Sequence, residues 1–265
     1  MKSYFSLKFA SVSLAISLQI AVISAFPKTL QAQLKNTSLS QKVAAYGEVI
    51  GTKIRFKPPK VGAPKNRSGG ASRGGNCSLE QKSLKALLPA SKLGLTVAEY
   101  PTFFVYVPQS STQLAEFELR EENNNKIVYK KRLMVPATAG IVNFSLSDNK
   151  TLLPLKIGKN YHWFFSIICD PQDRSEDLFI EGWIQRIEPS PTLVRQLHEA
   201  APRDRPRIYA AAGIWHETLA TLMDLRSSYP NDLTLVVEWA ELLESVGLSK
   251  IAKEPLVQCC HKPLN

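Results

Sequence analysis

The sequence predicts an α+β fold, in which an N-terminal antiparallel β-sandwich-like domain precedes a small α-helical region. Three observations carry this. Between residues 102 and 188 apolar and aromatic residues recur with period two, the spacing of strands with one buried face. Beyond Pro189 the apolar spacing lengthens to three and four, which is helical. Ahead of both lies a basic Pro/Gly-rich stretch with too little apolar surface to offset the entropy of ordering. The expected organisation is a signal peptide at 1–32, a basic lead-in and linker at 33–76, the sandwich-like domain at 77–189 and the helical region at 190–265.

The N-terminus supports export. Lys2 and Lys8 precede an uncharged, mostly apolar run from Phe9 to Phe26, closed by Pro27, Lys28 and Thr29. A positive start, a short greasy core and then small residues read as a secretory signal peptide. Cleavage is expected after Ala32, with Ala25 as the alternative. The run approaches the roughly 18 apolar residues at which a spanning helix is first considered, but Ser11, Ser13, Ser17 and Gln19 dilute it. No transmembrane segment is expected in the mature chain. Its expected location is the periplasm, the outer envelope or the extracellular space.

Removal of residues 1–32 from the 265-residue chain leaves 233, enough for one large domain or two small ones. Lys2, Lys8 and Lys28 go with them, so the formal charge falls from +10 to +7. Such a surplus favours anionic partners, whether polysaccharide, lipid headgroup or nucleic acid, and selects none of them. Cys77, Cys169, Cys259 and Cys260 remain, an even number that suits disulfides in an oxidising compartment. Adjacent cysteines bridge each other only under strain. The preferred pair is Cys77 with Cys169, and the alternative for Cys169 is a buried thiol on an apolar strand.

Residues 49–79 contain no acidic side chain, and Lys and Arg alternate there with Pro and Gly. The segment 58–76 reads as a flexible linker. Binding of anionic polymer through residues 53–73 is its functional alternative, although no aromatic residue stands between Pro58 and Cys77 to stack on a base or sugar. A short helix is expected over 79–88, capped by Ser78 and stopped by Pro89. Strands are expected at 52–56, 102–108, 113–120, 126–133, 140–146, 160–170 and 178–188. The clearest are 113–120 and 126–133, a hairpin about the turn Asn123-Asn124-Asn125. There Glu116 and Glu118 alternate with Ala115, Phe117 and Leu119, giving one buried face and one wet face. Tyr161 to Ile168 is apolar on both sides and should be central. Roughly seven short strands suit a sandwich, but Trp163 lies too near Cys169 for an ordinary immunoglobulin pattern.

Helices are expected at 192–201, 206–212, 214–227 and 233–246, the last capped at Asp232 and closed by Gly247 as a C′ glycine. The run Gly213-Ile214-Trp215-His216-Glu217-Thr218-Leu219-Ala220, with Tyr229-Pro230-Asn231-Asp232 behind it, resembles the second helix and exit turn of a tetratricopeptide repeat. The tail holds about one and a half such units, fewer than the three that usually stand alone. Packing onto the sandwich is the expected role, and a binding groove the alternative.

Signatures of chemistry are sparse. The glycines at 69–75 lack the Gly-Lys-Ser/Thr ending of a phosphate loop, and no Gly-x-Ser-x-Gly elbow occurs. His162, His198, His216 and His261 show no metal-ligand spacing, and no cofactor is expected. Asp170, Asp173, Asp177 and Glu181 cluster about Arg174 between two strands. They could serve as acid and base in glycoside cleavage or hold a cation, against a solvated turn in which Arg174 pairs with a neighbouring carboxylate. Trp183 and Trp215, with Tyr161 and Trp163, could form a carbohydrate platform, although such spacing is more often core.

Several motifs in one order tie the chain to a family. They are Gly69-Gly70, Arg73-Gly74-Gly75 and Cys77, then Tyr100-Pro101-Thr102-Phe103-Phe104-Val105-Tyr106-Val107-Pro108. Gly158-Lys159-Asn160-Tyr161-His162-Trp163, Cys169-Asp170, Arg174-Ser175 and Glu181-Gly182-Trp183-Ile184 follow. In the tail come Gly213-Ile214-Trp215, Leu219-Ala220-Thr221-Leu222 and Ser245-Val246-Gly247-Leu248. Over about residues 67–260 the chain resembles an uncharacterised bacterial family, the domain of unknown function numbered 928. The resemblance implies an exported envelope protein and brings no assigned activity, substrate or catalytic residue. The expected function is a non-catalytic binding or structural module for an envelope protein or glycan, with Trp183, Trp215 and Arg174 as candidate contacts. The alternative is an envelope polysaccharide hydrolase using the carboxylates of the 170–181 loop.

Overall fold

The hairpin forms where the alternation is cleanest. β4 (Leu114–Glu121) and β5 (Ile127–Met134) pair antiparallel. Asn125 in the turn takes a left-handed backbone, φ 54°, which asparagine tolerates better than most side chains. The computed structural model describes residues 53–59, 83–148, 153–257 and 259. The expected signal peptide, Cys77, Cys260 and most of the basic lead-in therefore lie outside the described residues. Among the described residues no helix is long and apolar enough to cross a membrane.

Around the hairpin stand β1 (Lys85–Ala86), β2 (Leu93–Thr96), β3 (Thr102–Val107), β6 (Gly140–Ser145), β7 (Asn160–Ile167) and β8 (Leu178–Arg186). They make a three-stranded sheet in the order β1-β3-β6 and a five-stranded sheet in the order β2-β8-β7-β4-β5. β7 is central as expected, but only one of its sides is buried and apolar, since Asn160, His162, Phe164 and Ser166 are half-buried on the other. β2 pairs with β8 in parallel, so the larger sheet is mixed and not wholly antiparallel.

Two expectations are corrected. Part of the segment read as a helix over 79–88 is strand β1, because Leu84, Leu87 and Leu88 are buried and Lys85–Ala86 finds a ladder partner in β3. The helical spacing of these leucines yields to pairing with a strand distant in sequence. Residues 53–56 join neither sheet.

Side chains from both sheets share one core. Phe103 of β3 lies 4.8 Å from Phe117 of β4, and Phe144 of β6 lies 5.8 Å from Phe165 of β7. Edge-to-face and offset ring pairs of this kind add about 0.5–1.5 kcal/mol each beyond the area they bury.

Four helices follow: α1 (Pro191–Glu199), α2 (Arg205–Ala212), α3 (Trp215–Ser228) and α4 (Leu233–Ser245). Their ends match the sequence chemistry. Ser190 Oγ accepts from Leu193 N, with Pro191 at the first helical position. Asp232 Oδ1 accepts from Thr234 N at 2.9 Å, and Gly247 follows α4 with φ 84°. α3 packs against β2 and β3. Leu193 of α1 and Ile214 join Leu93, Leu95 and Trp183 in a second apolar cluster, which covers the β2 end of the larger sheet.

Candidate functional site

Strand register arranges the outward side chains of the five-stranded sheet in rows. One row runs Arg132, Glu116, Ser166, Phe179, and the next Lys130, Glu118, Phe164, Glu181. A third runs Arg120, His162, Trp183, Leu93. Successive residues alternate across a strand, so one face collects charge and half-buried aromatic rings.

The glutamates on this face are not wet. Glu116 is 7 % and Glu118 8 % exposed, because cations close over them. Lys130 Nζ lies 3.0 Å from Glu116 Oε1 and 3.3 Å from Glu118 Oε2. Arg174 Nη2 donates to Glu116 Oε1 at 3.1 Å, and Arg120 Nε donates to Glu118 Oε1. Burial by itself raises the Glu116 pKa, yet the hydrogen bonds from Lys130 and Arg174 outweigh it and hold the carboxyl below 4.5. The cations keep outer surface, with Lys130 48 % and Arg132 61 % exposed.

His162 occupies the middle of the face. Its ring stacks on Trp183 at 4.1 Å and 6°, and Phe164 lies 4.2 Å away. Glu181 Oε2 stands 3.0 Å from His162 Nε2. Lys92 Nζ is 3.9 Å from Glu181 Oε1. Burial pulls the His162 pKa down, and the Glu181 carboxylate opposes it.

The four candidate carboxylates, Asp170, Asp173, Asp177 and Glu181, have separate partners. Asp170 Oδ1 accepts from Gln172 N at 2.8 Å. Asp173 Oδ1 accepts from Ser175 N and Oγ, capping the 3-10 turn Arg174–Glu176. Asp177 accepts from Cys169 N through Oδ1 and from Arg174 Nε, at 2.6 Å, through Oδ2. Glu181 faces His162 and Lys92 as described. The solvated-turn pairing expected for Arg174 is present and extends to Glu116. Among the described residues no group of three or more His, Cys, Asp or Glu side chains could hold a metal ion.

Of the tryptophans, Trp215 is fully buried, and its Nε1 donates to the Leu87 carbonyl at 2.7 Å. Trp163 and Tyr161 are buried as well, and Trp183 lies in the cluster beneath α1. Arg174 alone of the three candidate contacts has substantial exposure, 38 % of its side chain. On the outward face of the five-stranded sheet the partly exposed aromatic groups are instead His162, Phe164 and Phe179. Reasoning from the sequence missed them, although one signal was available: Glu116-x-Glu118 stands opposite Lys130-x-Arg132 at hairpin spacing. Cys169 and Cys259 follow β7 and the C-terminal segment, and neither is a free thiol.

No curated protein and no solved structure matches the chain. A family model does match, over residues 68–256, and the chain belongs to the family described as Domain of Unknown Function (DUF928).

Proposed function

We propose that this chain is an exported cell-envelope protein that acts as a non-catalytic binding module for an acidic glycan on the outward face of its five-stranded sheet. The observation that carries the reading is the composition of that face. Phe164, Phe179 and His162 offer partly exposed ring surface beside the exposed cations Lys130, Arg132 and Arg174. Rings receive the apolar face of a sugar, and guanidinium groups pair with carboxylate or sulfate. The surplus of basic residues in the whole chain favours such a ligand.

Export through a signal peptide at 1–32 is part of this reading, as is a Cys77–Cys169 bridge that suits the oxidising space beyond the membrane. So are a sandwich-like packing of the two sheets and tetratricopeptide-type pairing of the helices. The hydrolase alternative would need two of Asp170, Asp173, Asp177 and Glu181 to act on one bond, whereas each is held by its own local partners.

Titration of a uronic-acid polysaccharide into the mature protein, followed by calorimetry, tests the reading. Binding should weaken about tenfold or more in Phe164→Ala and fall steeply between about 50 and 200 mM salt. Equal affinity in wild type and Phe164→Ala would reject the face. Turnover of the polymer that vanishes in Asp173→Asn would establish the hydrolase instead.

A further inference from the structure

Of the described histidines, only His162 stands on the outward face of the five-stranded sheet; His198 lies on α1 and His216 is buried on α3. Neighbours fix where the His162 ring points. It stacks on Trp183 of β8 at 4.1 Å and 6°, and Phe164, two residues on in β7, lies 4.2 Å away. Nε2 stands 3.0 Å from Glu181 Oε2, and the two side chains are only 14 % and 7 % exposed. Water and salt screen a charge on this pair much less than one on an open surface.

Charged groups reach the ring from three elements. Glu181 faces it from β8, and Lys92, just ahead of β2, places Nζ 3.9 Å from that carboxylate. Arg120 is its cross-strand neighbour on β4, bonded to Glu118 and lying over the Phe164 ring at 5.1 Å. Burial favours the neutral ring, Glu181 favours the charged one, and the two cations side with burial, so the group sits below 6.5.

A ligand carboxylate brought onto this face adds a negative charge near the ring, which favours the imidazolium. Loss of water on binding works the other way, but a side chain already 14 % exposed has little water left to lose. The added charge therefore wins. Protonation in turn sets a cation against the Trp183 ring face and beside Glu181, which offsets the repulsion between that carboxylate and an acidic ligand. Binding and protonation assist each other by the same factor.

Taking the outward face as the glycan-binding surface described above, we propose that His162, held between Glu181 and Trp183, couples that surface to protons: an acidic glycan binds with uptake of a proton at His162 and is held more tightly as pH falls from about 7.5 to 5.5.

Calorimetric titration of a uronic-acid polysaccharide into the protein at about pH 7.5 and 5.5, in buffers of different ionisation enthalpy, tests the coupling. The dissociation constant should fall at least about threefold at the lower pH, and the heats should report uptake of part of one proton. His162→Gln should lose both the pH dependence and the uptake, whatever its own affinity, whereas His198→Gln should retain them. Glu181→Gln, which removes the charge beside the ring, should move the dependence to lower pH. Should His162→Gln fail to fold, the imidazole resonance of His162 in wild type serves instead, and its titration midpoint should rise when the polysaccharide is added. Equal dissociation constants at both pH values, uptake that persists in His162→Gln, or a midpoint that stays in place overturns the coupling and leaves the glycan reading standing. Absence of binding at both pH values overturns that reading and the coupling with it.

Discussion

Glu217, in the first turn of α3, accepts a 2.6 Å hydrogen bond from Thr96 Oγ1 at the end of β2. The same oxygen accepts from Val97 N at 3.1 Å and Ala98 N at 2.9 Å, so one carboxylate pins the loop after β2 to the helical region. Its other oxygen, Oε2, is buried without a hydrogen-bond partner.

Burial pushes the Glu217 carboxyl above its ordinary 4.5, and the hydrogen bonds from Thr96, Ala98 and Val97 pull the other way without cancelling it. The folded state therefore holds this proton more tightly than the unfolded chain. The group's contribution to stability is complete below about pH 4.5 and is lost as pH rises through the elevated value. Glu217→Gln keeps an acceptor for the loop and cannot ionise, so chemical denaturation should show that this pH slope has gone with stability at pH 7 retained. Glu217→Ala leaves the loop donors unpaired and should cost about 1–3 kcal/mol. If Gln costs as much as Ala, the account of the buried oxygen is wrong.

His216, the preceding residue, has the opposite sign. It is wholly buried, with Nδ1 2.9 Å from the Thr102 carbonyl, and burial pushes it to about 4 despite that bond. The ring is neutral and donates through Nδ1–H. The unfolded chain takes up a proton near pH 6.5, so stability is complete above that pH and is lost as pH falls toward 4, on the order of 3 kcal/mol in total. His216→Asn, which retains a donor, should remove the acid-side loss in urea titrations at pH 7, 6 and 5. An unchanged pH profile would contradict the buried neutral ring.

Packing around the same ring gives a second reading by mutation. A Cβ on Gly94 would stand 2.5 Å from His216 Nε2, and neither the strand backbone nor the buried ring has room to yield. Gly94→Ala should cost about 1–3 kcal/mol. A shift in denaturation midpoint at unchanged slope would report it; a midpoint equal to wild type would show that the ring moves freely.

Arg174 ties the 170–177 turn to the sheet through Asp177 and Glu116. Removing the guanidinium leaves two nearly buried carboxylates short of a partner, although Lys130 still serves Glu116. Arg174→Ala should destabilise by about 1–3 kcal/mol, and the part of the loss that comes from Glu116, whose carboxyl Arg174 helps to hold below 4.5, should shrink as Glu116 protonates in acid. Arg174→Lys should recover part of it, since a point charge cannot make both bonds in the fork. A neutral effect would show that the turn is held by other contacts.

What could be read from the sequence follows contact range. The 113–120 and 126–133 hairpin, the other long strands and all four helices were visible because period, caps and turns are local. β2 was not, since Leu93–Thr96 is four residues long and is defined by parallel pairing to β8, a partner far along the chain. The leucines at 84, 87 and 88 have helical spacing, and only the edge of β3 turns their segment into a strand. At the site, the carboxylate cluster drew attention because its charges are adjacent in sequence. The face that gathers Phe164, His162 and Lys130 is built from β5, β4, β7 and β8 and exists only after register is set. Trp215 illustrates the converse: the aromatic residue is conspicuous in the sequence, and its environment makes it core.

Cysteine pairing is the most direct check on the exported reading. Neither Cys169 nor Cys259 is a free thiol, and Cys77 and Cys260 complete the set of four. Direct bonding between Cys259 and Cys260 forces two adjacent α-carbons into a strained ring, and the proposed bridge joins Cys77 to Cys169. It closes a loop of roughly ninety residues, for which restriction of the unfolded chain contributes on the order of 4 kcal/mol. Cys77→Ser should therefore lower the melting temperature of the protein under non-reducing conditions and leave Cys169 open to alkylation. Peptide mapping without reductant should recover a fragment pair spanning residues 77 and 169. A map that joins Cys169 to Cys259 or Cys260 would replace that pairing, and alkylation of all four cysteines in freshly isolated wild type would remove the oxidised state on which export is argued.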